Sequence, residues 1–268
     1  MKSKYALRFI ALGYLTLLLG IPVVLVFINA FQDGIGAAWD AVTTPEAKHA
    51  FYLTFVMVAV AVPLNTIFGV MCALAIVRQR FRGRAILNAL VDLPFAVSPV
   101  VVGLALLLVY GRRDGWIGEW LAENGIQIIF SVPGMILATI FVSLPFVVRE
   151  VIPVLREIGT EQEQAAATLG AGAWQTFWRV TLPAIRWGVA YGVVLTTARA
   201  LGEFGAVSVV SGKLSGRTET ATLFVERRYQ SFDETGAYAA SVVLALLALV
   251  TLLGMTLIKP KEGKEAKA

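Results

Sequence analysis

The chain has 268 residues, 57% of them hydrophobic and only 15% charged, with a formal net charge of +5 and a mean hydropathy of +0.75. Soluble domains carry about 25% charged residues, so this composition excludes an ordinary water-soluble enzyme, a disordered chain and a nucleic-acid-wrapping protein. One cysteine (Cys72) and one histidine (His49) exclude a disulfide framework, a cysteine-based zinc site and a His–His metal site, and no metal or cofactor is expected on this chain.

A helix needs about 20 apolar residues to cross a bilayer. Six stretches qualify, which predicts an all-α integral membrane protein. The first runs from Phe9 to Phe31, preceded by Lys2, Lys4 and Arg8. That opening also resembles a signal peptide, but the run is too long and Ile28-Asn29-Ala30 lacks a small-x-small cleavage site. It is read as a retained span. The second stretch is Phe51–Val77. The third, Ala85–Tyr110, holds Asp92, Pro94 and Pro99 and is expected to be kinked or broken, with Asp92 capping the broken helix. The remaining three are Phe130–Val148, Trp187–Val210 and Ala237–Ile258. Cys72 is expected to be a packed thiol and His49 a loop residue.

Basic residues orient the spans. With a cytoplasmic N-terminus, the pieces 1–8, 78–84, 149–186 and 259–268 hold 15 of the 23 lysines and arginines, while acidic residues are biased to the opposite side. Both termini are therefore expected in the cytoplasm. Residues 1–48 form a tip, first span and outer loop; 49–258 form a core; 259–268 form a lysine-rich tail.

The segment 149–186 is the longest cytoplasmic connection. Glu161–Leu169 is rich in helix formers, Gly170-Ala171-Gly172 breaks the run, and a second helical stretch from Ala173 is expected to end at Pro183. Two short helices on a glycine turn make a rigid knob, which can transmit force. Gln164-Ala165-Ala166, then Gly170, then Val180-Thr181-Leu182-Pro183 resembles the EAA loop of ABC importer permeases: Glu-Ala-Ala, three residues, Gly, nine residues, Ile-x-Leu-Pro. The spacing matches throughout. Gln164 replaces the usual glutamate, with Glu163 and Glu161 nearby, and Val180 replaces isoleucine. The resemblance implies the type I ABC importer permease fold and a knob docked on a separate ATPase subunit through Glu163, Gln164, Ala165, Ala166, Gly170, Val180, Leu182 and Pro183. ATP and Mg would be used by that subunit. This chain has no Gly-x4-Gly-Lys-Ser/Thr loop, since Ser211-Gly212-Lys213 lacks its first glycine and its hydroxyl residue.

In the fifth stretch Arg199 and Glu203 are four residues apart and can pair. Charges at membrane depth face a bundle interior or water, so the two either line the translocation path or form a structural ion pair. The run Arg199-Ala200-Leu201-Gly202-Glu203-Phe204-Gly205-Ala206, with its continuation through Ser211-Gly212-Lys213, Gly216–Thr220 and Leu223–Glu226, is similar to the sulfate/thiosulfate permeases of the oxyanion branch. That resemblance implies a second, homologous permease subunit, two ATPase copies, an extracytoplasmic sulfate-binding protein and a bacterial-type cell membrane. A molybdate or tungstate importer is the alternative substrate reading. A self-contained secondary transporter would show repeats and discontinuous helices meeting at mid-membrane.

Overall fold

The computed structural model describes residues 2–258, with side chains from 7 to 254; the expectations for the tail 259–268 and for Lys2 and Lys4 as positive anchors lie outside this description. The described residues form helices and turns, with no strand among them. Helices α1 (Lys2–Leu15) and α2 (Ile21–Ala30) are joined by a π-helical turn, Thr16–Gly20. Then come α3 (Ile35–Thr43), α4 (Pro45–Arg78), α5 (Arg84–Ala96), α6 (Pro99–Tyr110), α7 (Gly118–Glu123) and α8 (Val132–Glu157). They are followed by α9 (Glu161–Thr168), α10 (Ala173–Thr176), a second π turn (Phe177–Thr181), α11 (Leu182–Leu201), α12 (Gly205–Val210), α13 (Ala221–Gln230) and α14 (Glu234–Ile258). His49 lies in the first turns of α4 and not in a loop.

By length and composition four helices can cross a membrane, Leu7–Ala30, Pro45–Arg78, Val132–Glu157 and Glu234–Gly254, and the bent pair α5–α6 makes a fifth. Six were expected. The shortfall is the stretch 187–210: α11 carries Arg186 and Arg199 and stops at Leu201, Gly202–Phe204 is not helical, and α12 has only six residues. Gly202 has poor helix propensity, and the Glu203 carboxylate accepts the Ala206 N–H at 2.9 Å, starting a new helix instead of continuing the old one.

The third stretch is bent by 115°, as its prolines suggested, but not at Pro94, which lies inside α5. The break falls at Val97-Ser98, both extended, because the ring of Pro99 disfavours helical backbone at the residue before it. Asp92 is consequently interior to α5 and caps nothing. It receives a bidentate pair from Arg149 on α8, with Nε at 2.7 Å from Oδ1. The fourth stretch continues well past Val148, to Glu157, with Pro145 and Pro153 inside the helix.

The helices gather into two compact units, one made of residues 2–53 and 215–246, the other of 54–214 and 247–258 among those described. In the first, Phe224 is fully buried among Ala47, Ala50 and Ala240. Arg227 and Arg228 both lie over its ring, pairing with Glu219 and Asp233 respectively. Between α12 and α13, Thr218, Glu219 and Thr220 are buried.

The second unit has its core where α4, α8 and α11 meet: Val70, Ala73 and Ile76, then Val147, Val151 and Leu155, then Ile185, with Val91 of α5. Small residues allow this close approach. A Cβ at Gly69 would lie 2.7 Å from the Val147 side chain, and one at Gly192 would lie 2.8 Å from the Val147 Cα. The two chain breaks also touch, since a Cβ at Gly205 would lie 2.8 Å from that of Pro99.

Candidate functional site

The predicted knob is present. Helix α9 begins after Thr160 and ends in a Schellman turn: Gly170 N–H donates to Ala167 C=O and Ala171 N–H to Ala166 C=O, both at 3.0 Å. Gly170 has φ +85° with no atom within 4 Å of a would-be Cβ, so glycine is required there by backbone conformation and not by lack of space. Helix α10 follows at Ala173.

The helix then does not end at Pro183, contrary to the expectation from sequence. It continues through the π turn into α11, where Pro183 occupies the first turn. A proline cannot donate, and its ring presses on the carbonyl four residues back. The wider turn, in which the Leu182 N–H reaches the Phe177 carbonyl, relieves that conflict. The other π turn sits at the same offset before Pro22. Val180 therefore lies in the π turn, while Leu182 and Pro183 open α11, and the knob is joined to α11 by unbroken helix.

The α9 side chains divide into two faces. Gln164 donates from Nε2 to the Thr160 hydroxyl at 3.1 Å. Ala165 is exposed and Ala166 half-buried. Leu169 is 89% exposed, and across the glycine turn Trp174 is 74% exposed, in ring contact with Phe177 and Trp178. Glu163 instead turns toward its own chain. Its Oε2 lies 3.0 Å from Arg78 Nε, and its Oε1 accepts the Thr181 hydroxyl at 2.9 Å. Arg78, the last residue of α4, also donates to the carbonyls of Leu155 (3.0 Å) and Gly159 (2.6 Å) at the end of α8. Sequence reading counted Arg78 only as one of four positive charges in 78–84. The signal that it would be a structural hub was absent, because its partners lie 77 to 85 positions away.

Arg199 and Glu203 are brought together as expected, with a guanidinium nitrogen 2.7 Å from Oε2. The carboxylate is almost wholly buried and also caps α12, whereas Arg199 remains partly exposed. In the core, Asn65 donates to the Ile140 carbonyl and the Ser143 hydroxyl, tying α4 to α8.

The profile of the binding-protein-dependent transport system inner membrane component matches residues 65–264. The chain is 54% identical to the sulfate transport system permease protein CysW of Synechocystis sp. over 98% of its own length and 95% of that protein. It is 43% identical to the sulfate transport system permease protein CysT of Synechococcus elongatus over 89% of its length and 86% of that protein. A crystal structure of a bacterial alginate ABC transporter, in complex with an alginate pentasaccharide-bound periplasmic protein, superposes with a TM-score of 0.79 over 94% of this chain and 91% of that one, at 20% identity. The match over three quarters of the sequence and the shared fold establish that the chain belongs to the family of binding-protein-dependent transport system inner membrane components.

Proposed function

We propose that this chain is one membrane-spanning permease subunit of an ATP-driven sulfate importer in a bacterial cytoplasmic membrane, with the knob facing the cytoplasm. The observation that carries the reading is the knob itself. It is a helix–turn–helix joined to α11 by continuous helix and held beside the ends of α4 and α8 by the Glu163–Arg78 pair, and it presents Ala165, Leu169 and Trp174 outward. Exposed apolar side chains on a rigid knob suit a protein partner, and a separate ATPase is the partner this family implies. Sulfate as the substrate rests on the named function of the CysW and CysT relatives. That Escherichia coli has both a CysW and a CysT sulfate transport system permease protein, each similar to this chain, supports a second, related permease beside this one, and a periplasmic binding protein would deliver the anion. The transport subunit itself supplies the path, and ATP hydrolysis belongs to the partner.

Radiolabelled sulfate uptake in cells with and without the chain, competed by thiosulfate and by molybdate, tests this. Chain-dependent uptake blocked by thiosulfate but not molybdate is the expected result. Unchanged sulfate uptake with lost molybdate accumulation would move the substrate to molybdate or tungstate and leave the importer architecture in place.

A further inference from the structure

Arg78, the last residue of α4, lies where the end of α8 and the start of α9 meet it at the knob. A guanidinium offers five N–H donors in a planar fork; here the two terminal nitrogens each donate to a different carbonyl, while Nε lies in ion-pair range of a carboxylate without a hydrogen bond to it. One terminal nitrogen holds the Leu155 carbonyl, the other the Gly159 carbonyl, and Nε faces the Glu163 carboxylate. The two carbonyls belong to the last turn of α8 and the residues beyond it, where helix carbonyls lack intrahelical partners and the helix dipole favours a cation. Glu163 lies in the first turn of α9, where the dipole favours an anion. Its second oxygen is held by Thr181, which is buried at the head of α11. Arg78 and Glu163 are only 15% and 21% exposed, so little water competes for the pair.

We infer that Arg78 is the positioning residue that couples the knob to the spans: displacement of α9 by a docked partner is delivered through Glu163 and Arg78 to the ends of α4 and α8, and through Thr181 to α11. The inference deepens the transporter reading and rests on it for the identity of the force. Without the Arg78 fork, α9 would keep its covalent ends, its packing on α10 and the π turn and the Thr181 bond, but no tie to the ends of α4 and α8. It would then yield locally when pushed instead of carrying the spans with it. Lysine cannot substitute fully, since one ammonium is a compact donor that does not reproduce the two-nitrogen fork on both carbonyls beside the carboxylate.

The test uses two readouts. In the purified chain, hydrogen exchange of the α9 amides in Arg78→Gln should rise about tenfold or more over the parent, the size expected when charge-assisted bonds are lost from a local opening equilibrium, while amides of α8 between 135 and 150 keep their protection. Unchanged exchange in α9 overturns the proposal whatever the protein transports. In the complex with its ATPases, companion permease and binding protein in proteoliposomes, Arg78→Gln should keep the ATPase bound and hydrolysing while the ATP consumed per sulfate imported rises several-fold, with Arg78→Lys intermediate. A parent-like ratio in Arg78→Gln, with the ATPase bound, overturns it. If the parent complex imports molybdate instead of sulfate, the same ratio is read with molybdate; the substrate reading then fails while the joint is still tested.

Discussion

Replacing Gly192 by alanine probes a close backbone contact between α11 and α8 in the second unit. The added methyl would lie 2.8 Å from the Cα of Val147, whereas carbon–carbon contacts settle at about 3.5–4.0 Å. Because the obstacle is backbone, no rotamer change relieves it, and α11 must withdraw from α8 by roughly 0.7–1.2 Å. Overpacking of this kind costs about 1–3 kcal/mol, and alanine's better helix propensity offsets about 0.8–1.0 kcal/mol. The net loss is about 0–2 kcal/mol, or a Tm lower by as much as about 8 °C for a chain of this size. Thermal unfolding in detergent, followed by tryptophan fluorescence, measures it. A companion substitution sharpens the reasoning. Gly69→Ala meets the side chain of the same valine, at 2.7 Å from Cβ and from Cγ1, so Val147→Ala should restore part of the loss at 69 and little at 192. A Gly192→Ala chain more stable than the parent, or equal rescue at both positions, would refute the packing argument.

Arg199→Gln should strand the buried Glu203 carboxylate, lowering Tm by several degrees and reducing assembly, while the order of preference among sulfate, thiosulfate and molybdate stays unchanged in uptake competition. Glu219→Gln removes a buried acceptor that holds Arg227 at two nitrogens and raises its pKa above the ordinary arginine value. Residues 211–236 should then be cut by trypsin about tenfold faster, as for the loss of a charge-assisted bond, with no change in cleavage elsewhere. Ala166→Arg should leave membrane insertion and Tm unaltered but reduce co-purification of the ATPase and uncouple hydrolysis from transport; normal coupling would remove Ala166 from the docking surface.

The knob was legible in sequence because its determinants are local. A run of helix formers, one glycine in a left-handed turn and a proline at fixed spacing all act within twenty residues. The same locality misled at Pro183, where a breaker in isolation becomes the first turn of a longer helix once a π turn makes room for it. Asp92 looked like a cap because a proline followed two positions later, but its partner Arg149 is 57 positions away and no local pattern announces it. Arg78 illustrates the same limit, since each of its bonds closes a loop of about eighty residues. The broken fifth stretch was partly visible. Gly202 and Gly205 flank Glu203 in the sequence, but continuous hydrophobicity on either side outweighed them in the reading by span length.

The π turn before Pro183 also sets a heading. A regular helix advances about 100° per residue, and a turn holding one residue too many shifts the phase of everything on one side of it by about that amount. Trp174 and the rest of α10 therefore keep a rotational phase relative to α11 that residues 177–181 set. Removal of one residue from that turn would leave both helices intact and swing the knob by about a quarter circle around the axis of α11. The aim of the knob is thus written in the pitch of the helix below it.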